Sequence, residues 1–147
     1  RLVTVFIKLD GFSEHIPGVS SESHNLSHHV GREDKLRELK NLEIAELQQL
    51  RGLLAQLHAT REGDATLLDR TQVLYGSNLG NGNSHDTKNL PILLAGGGFK
   101  HGQHLAFDRN RNTPLPNLFV SMLQRLGLEI HEFKSSTGPL HGLEMAR

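Results

Sequence analysis

The feature that most constrains this chain is the stretch 33–58, where leucines at 36, 39, 47, 50, 54 and 57 recur at three- and four-residue steps. That spacing predicts one long amphipathic helix, with Glu38, Glu43, Glu46 and Arg51 on its other faces. A run rich in β-branched residues lies ahead of it, Leu-Val-Thr-Val-Phe-Ile-Lys-Leu at 2–9, stopped by Asp10-Gly11. A second short apolar segment, 72–75, lies behind it and ends at Gly76. Strand, helix, strand reads as a βαβ unit with parallel strands and a right-handed crossover. The expected fold class is therefore α/β, a mostly parallel sheet with flanking helices, formed by a single domain over 1–147. A third strand, 91–95, follows the second too closely for a crossover and is expected to be antiparallel to it.

The intervening segments are legible in outline. Residues 12–30 hold Pro17, Gly18, five serines and four of the ten histidines without periodicity, and read as a long loop. Gly63 reads as a left-handed stop after the long helix. Thr113 as N-cap and Pro114 at the first helical position are expected to open a last helix, which Gly127 ends. At 147 residues the chain can bury one core. Sixteen basic and sixteen acidic side chains cancel, so nothing marks a binder of nucleic acid or of an anionic membrane. No apolar run approaches the roughly 20 residues of a membrane helix. With no cysteine, disulfides and thiolate metal sites are excluded. The chain opens at Arg1 inside an apolar segment, which suggests a piece of a longer protein or a processed product.

Chemistry in an open α/β sheet gathers beyond the carboxyl ends of its strands. Behind the first strand stand Asp10 and the loop His24-Asn25-Leu26-Ser27-His28-His29; behind the second stand Ser77, Asn78, His85 and Asp86. If both strands are parallel, His28 or His29 should share a cleft with His85. Neutral imidazole is a common zinc ligand, and a carboxylate beside a histidine can ligate or orient it. His24, His28, His29, His85 and Asp86 are thus the candidate metal ligands. The plainer alternatives are solvated loop histidines and, for Asn81-Gly82-Asn83 through Asp86, a turn. Gly96-Gly97-Gly98 lacks the Lys-Ser/Thr ending of a phosphate loop and reads as a tight turn. No Gly-x-Ser-x-Gly elbow is present, which leaves Ser27 and Ser77 as the serines with suggestive positions. His58, His101, His104, His131 and His141 have no partner suggested by spacing.

The order Thr66-Leu67-Leu68-Asp69-Arg70-Thr71, Val73-Leu74-Tyr75-Gly76-Ser77, Gly82-Asn83-Ser84-His85-Asp86 and Asn89-Leu90-Pro91-Ile92-Leu93-Leu94-Ala95-Gly96 resembles a family of secreted bacterial proteins. That family is catalogued as a domain of unknown function, number 1552. Leu26-Ser27-His28-His29, Thr113-Pro114-Leu115, Asn117-Leu118 and Ser135-Ser136-Thr137-Gly138-Pro139-Leu140 extend the likeness over nearly the whole chain. The resemblance implies export to the periplasm or beyond, and an upstream half of the same chain or another envelope protein as partner. It also implies a distant kinship with the alkaline phosphatases and sulfatases, whose metal-binding Asp and His residues follow sheet strands. In that comparison the 24–29 segment and His85 fall near ligand positions, whereas Gly76-Ser77-Asn78 stands where an acidic ligand is expected. Two functions follow as expectations. One is an exported hydrolase-like domain for phosphate or sulfate esters, dependent on a divalent ion such as zinc. The other is a non-catalytic binding or assembly subunit of the bacterial envelope.

Overall fold

A computed structural model describes residues 2–7 and 15–143. The elements in chain order are α1 (Ser23–Ser27), α2 (Glu33–Ala59), β1 (Arg61–Glu62), β2 (Ala65–Thr66), α3 (Leu67–Arg70), β3 (Gln72–Gly76), β4 (Ile92–Gly96) and α4 (Pro116–Arg125). They fall into two compact units. One comprises Arg1–Leu53 and Asn78–Lys88, and the other Leu54–Ser77 and Asn89–Arg147.

The α/β expectation is corrected. The described residues form two separate two-stranded sheets, β1 with β2 and β3 with β4, both antiparallel, and no parallel sheet of the alkaline-phosphatase kind. Residues 2–7 join no ladder; Leu2, Val3, Val5, Phe6 and Ile7 are 50–91% exposed, and Lys8, Leu9 and Asp10 lie outside the described residues. A β-branched sequence fits a pleated, half-buried surface, but it becomes a strand only where a neighbouring edge accepts its backbone hydrogen bonds. Without that first strand there is no βαβ unit.

In the first unit, α2 carries the expected acidic first turn, Glu33 and Asp34, where the helix dipole favours negative charge. Its buried residue is Leu42, while Leu36, Ile44, Leu47 and Leu53 remain 40–48% exposed. The period is therefore helical without being fully covered. Val19, Leu26 and Leu42 make the core, with Ile16 and Leu39 packed on it. Polar contacts bind the preceding segment to α2. Ser20 donates from its backbone N–H (2.7 Å) and its hydroxyl (2.9 Å) to the Glu38 carboxylate, which holds that carboxyl below its usual range. Lys35 Nζ donates to Asn25 Oδ1 (2.8 Å) and to its carbonyl (3.0 Å). The expected loop at 12–30 thus contains a short helix, α1, whose Leu26 is 1% exposed.

In the second unit, β3 and β4 pair in the register Gln72↔Gly96, Leu74↔Leu94 and Gly76↔Ile92, the antiparallel arrangement their close spacing predicts. Gly63, at φ +64°, serves the turn between β1 and β2 rather than the end of α2, which stops earlier at Ala59. The last helix begins at Pro116, with Leu115 and not Thr113 at the N-cap. Pro116 has no N–H to give an upstream carbonyl, so the hydrogen-bonded helix can open there. On α4, Leu118 and Val120 are buried; Asn117 donates to Thr137 Oγ1 (3.0 Å) and accepts from the Thr137 N–H (2.9 Å), securing the tail.

Helix α3 is opened by a capping box in which the Thr66 hydroxyl accepts from the Asp69 N–H and the Asp69 carboxylate accepts from the Thr66 N–H (2.8 Å). The Thr66 N–H and then its hydroxyl lower the Asp69 carboxyl below its ordinary value. A carboxyl lowered on folding contributes stability above its unfolded value, about 3.9, and loses it as the pH falls through the lower folded value. Asp69→Asn is therefore expected to lower the thermal midpoint at pH 7, and the gap to the parent protein should narrow toward pH 2.5 in paired melting curves.

Candidate functional site

The histidines come together within the first unit. Helix α1 places His24 and its C-cap residue His28 four positions apart, the spacing that stacks side chains on one helical face. Their rings meet edge to face with centroids 4.9 Å apart. His85 reaches the same place from the segment Asn78–Lys88. There Asn81 Oδ1 accepts from the N–H groups of Asn83 (3.0 Å) and Ser84 (3.2 Å), and Asn81 and Asp86 pair as an isolated antiparallel bridge. This tight turn sets His85 at φ +54°. Its Nε2 lies 3.1 Å from His28 Nε2, with ring centroids 4.8 Å apart. The result is a row of three imidazoles, His24, His28 and His85, in which His28 is half-buried and the outer two are exposed.

Further contacts fix this row. The Val30 N–H donates to Asn83 Oδ1 (3.1 Å), and a Cβ on Gly82 would sit 3.1 Å from Ser27 Cβ, so the backbone at Gly82 lies close against the Ser27 side chain. Val30 is itself at φ +49°. A β-branched residue and a histidine in the left-handed region are both uncommon, and such strain collects where surrounding contacts over-determine the chain. In the sequence Asn83 stands only as a turn former, and the Asn81-Gly82-Asn83 spacing is the one signal of its place.

The other sequence candidates sit apart from the pair or are engaged elsewhere. His29 Nδ1 accepts the Gly31 N–H (3.0 Å), which turns one ring nitrogen to its own loop. Asp86 Oδ1 accepts the Lys88 N–H (3.0 Å) and closes a turn. The Ser27 hydroxyl donates to the His24 carbonyl (2.8 Å). Ser77 belongs to the second unit at the end of β3. His101 Nε2 meets the Gly96 carbonyl (2.9 Å) at the glycine triplet, whose three φ angles, +71°, +67° and +75°, make it a turn. His58, His104, His131 and His141 are exposed singly along the surface. Asp10 lies outside the described residues.

Between two Nε2 atoms at hydrogen-bond distance there is room for one proton, so one ring donates and the other accepts. The same position suits an ion. Zinc–imidazole bonds of about 2.0–2.1 Å in tetrahedral geometry separate two nitrogens by about 3.3 Å, close to the 3.1 Å between His28 and His85. The fit ends at two donors, since the described residues hold no group of three or more His, Asp or Glu side chains placed to share an ion. Hydrolytic zinc sites use three protein ligands and an open position. Among the described residues no helix is long and apolar enough to cross a membrane.

In comparison with known proteins, no family model matches the chain, and no curated protein or solved structure matches it either. The family resemblance accordingly rests on the motifs quoted from the sequence.

Proposed function

We propose that this chain is a metal-binding module that holds a divalent transition ion, zinc or one of similar ligand preference, between His28 and His85, and that it does not hydrolyse esters. The observation that carries the reading is the 3.1 Å approach of the two Nε2 atoms. Imidazole is a ligand suited to zinc, copper and nickel, whereas calcium and magnesium favour oxygen donors. His24 is the further imidazole in the row. Asp86 and His29, each engaged in its own turn, are not part of this set. The exported location and an envelope or upstream partner belong to the same proposal and are supported by motif order alone.

A second reading, an assembly subunit, is favoured by one observation: the apolar residues 2–7 and the 40–48% exposed leucines and isoleucine of α2 are uncovered. The two readings are compatible, because an ion site and an apolar surface can serve one non-catalytic protein.

Calorimetric titration with zinc chloride tests the proposal. Binding of one equivalent is expected at pH 7.5 and should weaken in acid, because imidazole ligates only when neutral. No heat of binding at pH 7.5 would defeat the reading. So would zinc-stimulated cleavage of an aryl phosphate or sulfate by the same preparation, since hydrolysis needs a third ligand that the described residues do not supply.

A further inference from the structure

Helix α2 outruns the core that covers it. Its buried residue is Leu42, which packs with Val19 and Leu26, and from Glu43 to Ala59 the helix has no buried residue. Yet this half carries leucines at a fixed spacing: Leu47, Leu50, Leu54 and Leu57 follow at steps of three, four and three residues. These are the a and d positions of two successive heptads, the seam along which one helix packs against another. Gln48, Gln49, Gly52, Ala55 and Gln56 fill the b, c and f positions on the other side, and a Cβ on Gly52 would meet nothing within 4 Å. Upstream, Lys40 and Glu43 hold the corresponding positions, and the seam stops. Ile44 and Leu53, at e and g, are exposed at its margins.

The charges beside the seam select the partner. Glu46 stands at g and Arg51 at the following e, five residues on. That spacing puts them on opposite flanks of one helix, where they do not face each other. Among the described residues neither forms an ion pair. In two parallel helices in register, each g position faces the next e position of its neighbour. Glu46 of one copy then meets the partner's Arg51, twice by symmetry. An antiparallel pair would set e against e and g against g, opposing like charges.

We propose that this half of α2 is a self-association surface: a second copy of the chain docks in parallel along Leu47, Leu50, Leu54 and Leu57, held in register by the Glu46–Arg51 pairs. The inference rests on the assembly reading above and names the occupant of the uncovered face. Two heptads make a short seam, so the dimer is reversible rather than permanent.

Sedimentation equilibrium of the whole chain tests it. The parent should dimerise with a dissociation constant below about 1 mM. Glu46→Arg and Arg51→Glu, each alone, set like charges along both flanks and should weaken dimerisation at least tenfold. Mixed in equal amounts, the two variants carry complementary flanks and should form a mixed dimer as tight as the parent's. The double variant E46R/R51E restores both pairs with the charges exchanged, and should dimerise like the parent even where a single variant folds poorly. Dimerisation that both single variants leave unchanged would overturn the seam, as would a parent that stays monomeric. In such a monomer, α2 leucines freely labelled by hydroxyl radicals would leave the assembly reading standing, whereas leucines protected from labelling would overturn both.

Discussion

Zinc affinity is expected to fall by at least two orders of magnitude when His28 and His85 are replaced together by Ala, with the helical signal unchanged. Removing either ring alone leaves one strong donor, so each single variant should retain weak binding, and the double variant should reach the level of scattered surface imidazoles. The fold survives because the core of this unit is Val19, Leu26 and Leu42, and neither histidine belongs to it. An ion that binds the folded state alone, at a hundred times its dissociation constant, contributes about 2.7 kcal/mol. Zinc should therefore raise the melting temperature of the parent protein and leave that of the double variant unmoved. Calorimetry and circular dichroism on the three variants read both quantities.

The largest effect on stability is expected at Gly96. Its φ is +71°, and a Cβ there would run into the backbone carbonyl oxygens of Thr71 and Leu68 and lie 2.8 Å from Leu68 Cδ1. The turn is crowded because it is gripped from several sides. Gly97 donates to the Leu68 carbonyl (2.9 Å), Arg125 Nε donates to the Gly97 carbonyl (2.6 Å), and Gln72 Nε2 donates to the Met122 carbonyl (3.0 Å). Left-handed strain of about 1–2 kcal/mol and overpacking of about 1–3 kcal/mol act together in Gly96→Ala. The sum corresponds to a midpoint lowered by on the order of 10 °C. Gly102→Ala is the comparison, since its φ of +85° faces open space and leaves the strain alone. Equal midpoints for the two variants would show that crowding at Gly96 contributes nothing.

Local sequence signals read well where a segment carries its own structure. The leucine spacing predicted a helix over 33–58, and α2 runs Glu33–Ala59; the short return after Gly76 predicted antiparallel pairing, which β3 and β4 show. The failure is the first strand. Residues 2–9 have strand propensity, but propensity does not supply the neighbouring edge, and the parallel sheet was inferred from that missing pairing. The nearness of His28 and His85 consequently has a different cause from the one expected. They do not leave the same edge of a parallel sheet. Instead, Asn78–Lys88 folds with α1, and the Asn81 side chain shapes the turn that presents His85. Such a turn is local and visible in the sequence as Asn-Gly-Asn, while the segment against which it packs is a tertiary choice that no spacing records. The Thr113 misplacement is smaller: two prolines stand close together, and the structure opens the helix at the second.

X-ray absorption at the zinc edge, on protein loaded with one equivalent at pH 7.5, tests the central claim most directly because it reads the donors themselves. At least two imidazole nitrogens at about 2.0–2.1 Å, with their number reduced by one in His85→Asn, is the result expected of an ion held between His28 and His85. A first shell of oxygen donors without imidazole scattering, or a spectrum that His85→Asn leaves unchanged, would contradict it.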